Sequence, residues 1–133
     1  MRKTTTKTIL SRVLFLLYVC AVCLVCFADS SSLPKLQRFI FGIPTDKIVH
    51  FIMFAPFPIL SYLSFDHPSG KPGKSVLFVF LALLAGSALA ISTEIIQSCL
   101  PHRSMDIYDF YADTLALGVS SVFILLVDLT RKN

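Results

Sequence analysis

Tryptophan is absent from this sequence, and glycine and cysteine are scarce, with five and four copies in 133 residues. So little glycine excludes a collagen-like or glycine-rich flexible chain. Four cysteines are too few for a small disulfide-stapled secreted module. No low-complexity run is present, and a hydrophobic share of 55% excludes disorder. Charge is the most telling shortage: Asp, Glu, Lys and Arg make up 15% of the chain, against about 25% in an ordinary soluble domain. A chain this short exposes much of its surface and needs charge to stay in water. A mean hydropathy of +0.75 says that it lacks it. Also missing are G-x-S-x-G, H-E-x-x-H and any phosphate-cradling glycine loop. The class that remains is an integral membrane protein of one domain. The net charge of +4 does not indicate a nucleic-acid partner, because the basic residues are scattered along chain flanks.

Four segments are long and apolar enough to cross a bilayer: about 13–28, 48–65, 76–96 and 110–129. The expected fold is all-α, a polytopic four-transmembrane-helix bundle. Residues 1–12 form a basic N-terminus, 13–129 the membrane domain and 130–133 a tail. Residues 66–74 are a breaker cluster of Pro, Gly and Lys, and Pro101 separates the last two spans. Orientation follows from Lys and Arg. With the N-terminus cytoplasmic, Arg2, Lys3, Lys7, Arg12, Lys71, Lys74, Arg131 and Lys132 lie inside, and Lys35, Arg38, Lys47 and Arg103 outside. Eight against four predicts both termini on the cytoplasmic side. The basic start, the apolar run and Cys26-Phe27-Ala28 also resemble a signal peptide with its cleavage site. In the connection 29–47, Ser31 and Ser32 are expected to cap a short helix. Leu33, Leu36 and Ile40 would share its face, and Phe39-Ile40-Phe41 would lie in the membrane interface.

Charged groups at membrane depth are costly, face the bundle interior and mark function. On the second span Asp46 and His50 share a face, with Thr45 as the expected N-cap and Lys47 turned aside to snorkel. The plain structural account is that Asp46 caps the helix and His50 bonds to it. On the third span Ala82, Gly86, Ala90 and Glu94 recur every four residues, a small-residue stripe for close helix approach that ends in a carboxylate. Gln97 follows nearly in line. On the fourth, Asp106, Asp109 and Asp113 share a face beside Ala112, Ala116 and Ser120. Asp106 serves as a cap by position, but Asp113 is too deep for that. Arg103 is the expected counter-charge. All these groups fall at the outer side, and six of the eight acids lie there; the helix ends at the inner side carry no matching set, only Asp128 beside Arg131 and Lys132. The expectation is one polar pocket containing Asp46, His50, Glu94, Arg103, Asp109 and Asp113, its crowded carboxylates holding either a shared proton or a cation. The shared proton is preferred, and no metal or other cofactor is assigned.

Weaker signals carry less. Cys20, Cys23 and Cys26 read C-x-x-C-x-x-C, but in a bilayer helix they serve as small packing residues, not an iron–sulfur site. Cys99 lies near the outer surface without an evident partner. Pro56 and Pro58 are expected to kink the second span, a feature that transporters also use.

Asp46-Lys47-x-x-His50-Phe51, Glu94-x-x-Gln97 and Pro101-x-Arg103-x-x-Asp106-x-x-Asp109-x-x-Ala112, in that order, resemble the motifs of the VanZ-like family of small bacterial integral membrane proteins. The resemblance covers about residues 40–127. It places Asp46, Lys47, His50, Glu94, Gln97, Arg103 and Asp109 at the family's motif positions. The family usually carries Asn where Asp113 stands and Gly where Ala116 stands. It is named for a protein associated with teicoplanin resistance. The resemblance therefore implies an envelope protein whose partners are membrane lipids and a cell-wall precursor or glycopeptide antibiotic, bound non-catalytically through Arg103 and Lys47. The alternatives are a small transporter or an outer-leaflet enzyme on a lipid-linked substrate, with His50 and Glu94 exchanging protons. The absence of an identifiable nucleophile weighs against the enzyme.

Overall fold

A computed structural model describes residues 6–67 and 70–131. The helices are α1 (Thr6–Phe27), α2 (Thr45–Phe54), α3 (Pro56–Ser64), α4 (Pro72–Ser98) and α5 (Ile107–Thr130). Four stretches are long and apolar enough to span a membrane: α1, the combined Thr45–Ser64, α4 and α5. The protein is an all-α, multi-pass membrane protein. α5 packs against α2, α3 and α4, and α1 packs on α3 and α4. Leu16, Leu24, Ile52, Leu84, Leu115 and Phe123 face outward, as lipid contact requires. The interior holds polar side chains alongside Phe54, Ala90, Ala116 and Leu117.

The helix ends depart from the sequence expectation. α1 starts about two turns earlier, so that Arg12 lies on the helix and its Nε donates to the Ser64 carbonyl at 3.0 Å. α4 begins at Pro72 inside the expected breaker cluster, since proline at the first helical position has no amide hydrogen to satisfy. Arg2, Lys3 and Lys132 lie outside the described residues. The second span is interrupted at Ala55, where Pro56 and Pro58 remove two helical donors. Tyr18 Oη donates to the Met53 carbonyl just before this break.

The small-residue stripe of α4 faces inward. A Cβ on Gly86 would meet Leu117 Cδ2 at 2.6 Å and Phe57 Cδ1 at 3.1 Å, so glycine is what lets α4 approach α3 and α5. Gly118 has nothing within 4 Å of such an atom and plays no comparable part.

The connection after α1 is not the expected short helix. It holds a 3-10 turn at Ser30–Ser32 and a two-stranded antiparallel hairpin, β1 (Phe39–Ile40) and β2 (Ile43–Pro44), with Phe39 opposite Pro44 and Ile40 opposite Ile43. Phe41 and Gly42 form its turn at φ 52° and 77°. Both values are positive, as a tight two-residue hairpin turn requires. The apolar Phe41 at its tip is 100% exposed.

Candidate functional site

α1 and α4 end, and α2 and α5 begin, at the same end of the bundle. The acids of α4 and α5 and the first turn of α2 therefore converge there. Lys47 projects into the middle of them. Its Nζ donates to Asp46 Oδ2 at 2.8 Å, to Asp106 Oδ2 and to Asp109 Oδ1. Asp106 is also the N-cap of α5, its Oδ1 accepting from the Tyr108 amide at 2.9 Å. The Lys47 ammonium holds the Asp106 carboxyl below the usual carboxylate range.

Behind this ion cluster His50 bridges two acids of α5. Nδ1 lies 2.9 Å from Asp113 Oδ1, and Nε2 lies 3.5 Å from Asp109 Oδ2. Where Asp113 is ionised its carboxylate only accepts, and Nδ1 then carries the hydrogen of the first contact. Glu94 Oε2 accepts from the Asp106 amide at 3.1 Å, which ties the end of α4 to the start of α5. Glu94 is 1% exposed and Asp113 0%. Glu94 Oε1 and Asp113 Oδ2 are buried and have no hydrogen-bond partner among the described residues.

Four expectations need correction here. Arg103 does not meet the carboxylates. Its Nε and Nη2 donate to the Ala28 and Val25 carbonyls at 3.2 and 2.8 Å, where the end of α1 leaves oxygens without helical partners. Lys47 does not turn aside; it is the cation of the cluster, because the first turn of α2 lies directly against the start of α5. Thr45 is not the cap of α2. Pro44 holds that position, and Thr45 Oγ1 donates to the Gln37 carbonyl, fastening α2 to the hairpin base. His50 accordingly pairs with α5, not with Asp46, whose side chain is 58% exposed.

Gln97 Nε2 donates to the Cys26 carbonyl at 2.9 Å, a second tie to the end of α1. Between α1, the hairpin connection and α2 lies a cavity of about 740 Å³. Val25, Leu33, Leu36 and Met53 line its apolar part, and Arg38, Asp46, Lys47, His50, Arg103 and Asp106 its polar part. The structure thus brings Asp46, Lys47, His50, Glu94, Asp106, Asp109 and Asp113 into one contiguous cluster, with Gln97 and Arg103 on the cavity wall beside it. Arg38 was not expected there. The signal for it is the turn pair Phe41-Gly42 inside an apolar, β-branched stretch.

The opposite end was expected to hold only Asp128 with basic neighbours. Asp128 is instead 1% exposed and accepts from Tyr62 Oη at 2.9 Å and from Ser75 Oγ, with His67 Nε2 3.6 Å away. Arg131 Nη1 donates to Tyr62 Oη at 3.1 Å. Tyr62, His67 and Ser75 come from separate segments far from Asp128 in the chain, so no local spacing announces them.

Comparison with curated proteins and with solved structures gives no match. The family model described as VanZ/LLP1 matches residues 14–128, from within α1 almost to the end of α5. This helical membrane protein, with its shared polar end, belongs to the VanZ/LLP1 family.

Proposed function

We propose that this VanZ-like protein is a bacterial envelope protein of the inner membrane, with both termini in the cytoplasm, that binds the headgroup of an amphiphile in its outer-facing cavity. The observation that carries this reading is the lining of the 740 Å³ cavity, a volume within the roughly 300–1,000 Å³ of small-molecule sites. Its wall passes from Leu33, Leu36 and Met53 to Arg38, Lys47 and Arg103. That gradient suits a molecule with an acyl or polyprenyl chain and an anionic head. Arginine and lysine meet phosphate or carboxylate, and the neighbouring Asp46 and Asp106 accept from hydroxyl or amide hydrogens of the same head. The excess of Lys and Arg on the opposite flanks supports an outer location for the cavity.

Three amphiphiles share this chemistry: an anionic phospholipid, a lipid-linked cell-wall precursor and a lipoglycopeptide such as teicoplanin. Protein in nanodiscs, titrated with each in turn, is expected to bind at least one saturably. Val49 lines the cavity, and Val49→Trp, which fills it, is expected to weaken that binding at least about tenfold, the loss of roughly 1.4 kcal/mol of contact. No saturable binding by any of the three, or equal binding by Val49→Trp, overturns the reading.

A further inference from the structure

We propose that His50, Glu94 and Asp109 form a binding site for a transition-metal divalent cation, Zn²⁺ foremost, with Asp113 orienting the imidazole. One ligand atom from each of the three residues lies within 4.8 Å of the others, and all three residues are buried. That spacing lets a single ion touch all three.

The cluster's own cation does not serve this spot. Lys47 sits among Asp46, Asp106 and Asp109, the other acidic group of comparable spacing, and occupies that one. Asp109 belongs to both groups. Its Oδ1 goes to Lys47, and its Oδ2 faces His50 Nε2. Across the whole cluster, five carboxylates (Asp46, Glu94, Asp106, Asp109, Asp113) face one ammonium and one imidazole, an excess of negative charge that a divalent ion offsets.

Independent of the acid count is a buried oxygen. Glu94 is 1% exposed, and its Oε1 has no donor among the described residues. A buried carboxylate oxygen without a partner is costly, and a metal ion is one way to satisfy it. The imidazole geometry points the same way. In the neutral ring with Nδ1–H donating to Asp113, the Nε2 lone pair lies on the side of Asp109, where an ion would take it. A carboxylate behind a histidine with the second nitrogen facing other carboxylates is the support that metal-ligating histidines ordinarily have.

The donor set chooses among cations. One imidazole nitrogen and two carboxylates suit Zn²⁺ and, less well, Mn²⁺. Mg²⁺ and Ca²⁺ prefer oxygen alone. Three protein ligands leave a coordination position open, and one of the three, His50, also lines the cavity. The inference stands whichever amphiphile the cavity takes.

The test uses the full chain in detergent, stripped with EDTA and titrated by calorimetry with Zn²⁺, Mn²⁺, Mg²⁺ and Ca²⁺. One Zn²⁺ per chain is expected, bound at least tenfold tighter than Mg²⁺ or Ca²⁺. Glu94→Gln keeps the acceptor for the Asp106 amide and is expected to weaken Zn²⁺ at least tenfold, as is His50→Gln. Asp113→Ala is expected to weaken it about 10- to 100-fold, the range for lost outer-shell partners. Asp46→Asn is expected to change it less than threefold. Co²⁺ added to the wild-type chain gives a visible d–d band if an imidazole and carboxylates bind it, and this needs no variant to fold. Absence of stoichiometric Zn²⁺ binding and of that band in the wild type overturns the proposal, leaving a proton shared between His50 and its acids. Undiminished binding by folded Glu94→Gln and His50→Gln overturns it equally.

Discussion

Lys47 carries the largest single share of the polar end's electrostatics. Its side chain is 16% exposed and that of Asp109 12%. Removing one member of so enclosed a pair leaves the other uncompensated, at a cost of about 3–5 kcal/mol. Lys47→Met is therefore expected to lower the thermal unfolding midpoint in detergent strongly. Asp46→Asn is expected to change stability by less than about 1 kcal/mol, since an exposed ion pair contributes little. Asp113 separates acceptor from charge. Asn at this position still accepts from His50 Nδ1–H, whereas Ala leaves that donor buried and unpaired at a cost of about 1–3 kcal/mol. Asp113→Asn should thus unfold close to the wild type and Asp113→Ala well below it. The sequence identified Asp113 as unusual for a membrane interior, because a charge at depth stands out by itself, but it read Lys47 as turned aside to snorkel. It did not identify which pairs with which. Arg103 is the near neighbour of the α5 acids along the chain, whereas Lys47 lies 59 residues from Asp106 and 62 from Asp109, so local spacing pointed to Arg103 and only the docking of α2 on α5 brings Lys47 in.

At the scale of elements, close approach and helix ends are the sensitive points. Gly86→Ala pushes a methyl to within 2.6 Å of Leu117 Cδ2, and such overpacking costs about 1–3 kcal/mol. Gly118→Ala meets nothing and is expected to be neutral or to stabilise by up to about 1 kcal/mol, as glycine is a poor helix residue. Thermal unfolding of the two variants side by side checks the contrast. Arg103→Gln withdraws the two donors that meet the Val25 and Ala28 carbonyls. Hydrogen exchange in the last turn of α1 should accelerate, while the Lys47 cluster keeps its protection. The four spans were legible from apolar length alone, and the proline break at Ala55 from the two prolines. The hairpin was not. Leu33, Leu36 and Ile40 fit a helical face, and this periodicity outweighed the positive-φ turn that Gly42 makes possible. Helix starts at Thr6 and Pro72 were missed because charged and proline residues in a first turn look like loop.

For the molecule as a whole, the two ends of the bundle are both polar but differently built. One is a cluster beside a cavity; the other is a compact lock of Asp128, Tyr62, Ser75 and Arg131 that joins α3, α4 and α5. The sequence showed the first because its acids recur at helical spacing. It concealed the second because Tyr62 and Asp128 lie 66 residues apart and Ser75 and Asp128 lie 53 apart. The orientation proposed from Lys and Arg is checked by Cys99, which is exposed at the cavity end. In intact cells it should react with a membrane-impermeant maleimide, and Cys99→Ser should abolish that labelling. The central claim is that the cation of the polar end is Lys47 acting through Asp109. The most direct measurement is a double-mutant cycle of Lys47→Met and Asp109→Asn by unfolding in detergent, with Arg103→Gln in place of Lys47→Met as the second cycle. A coupling of about 2 kcal/mol is expected for Lys47 with Asp109, and additivity within about 0.5 kcal/mol for Arg103 with Asp109. Additive effects for Lys47, or strong coupling for Arg103, would contradict the account.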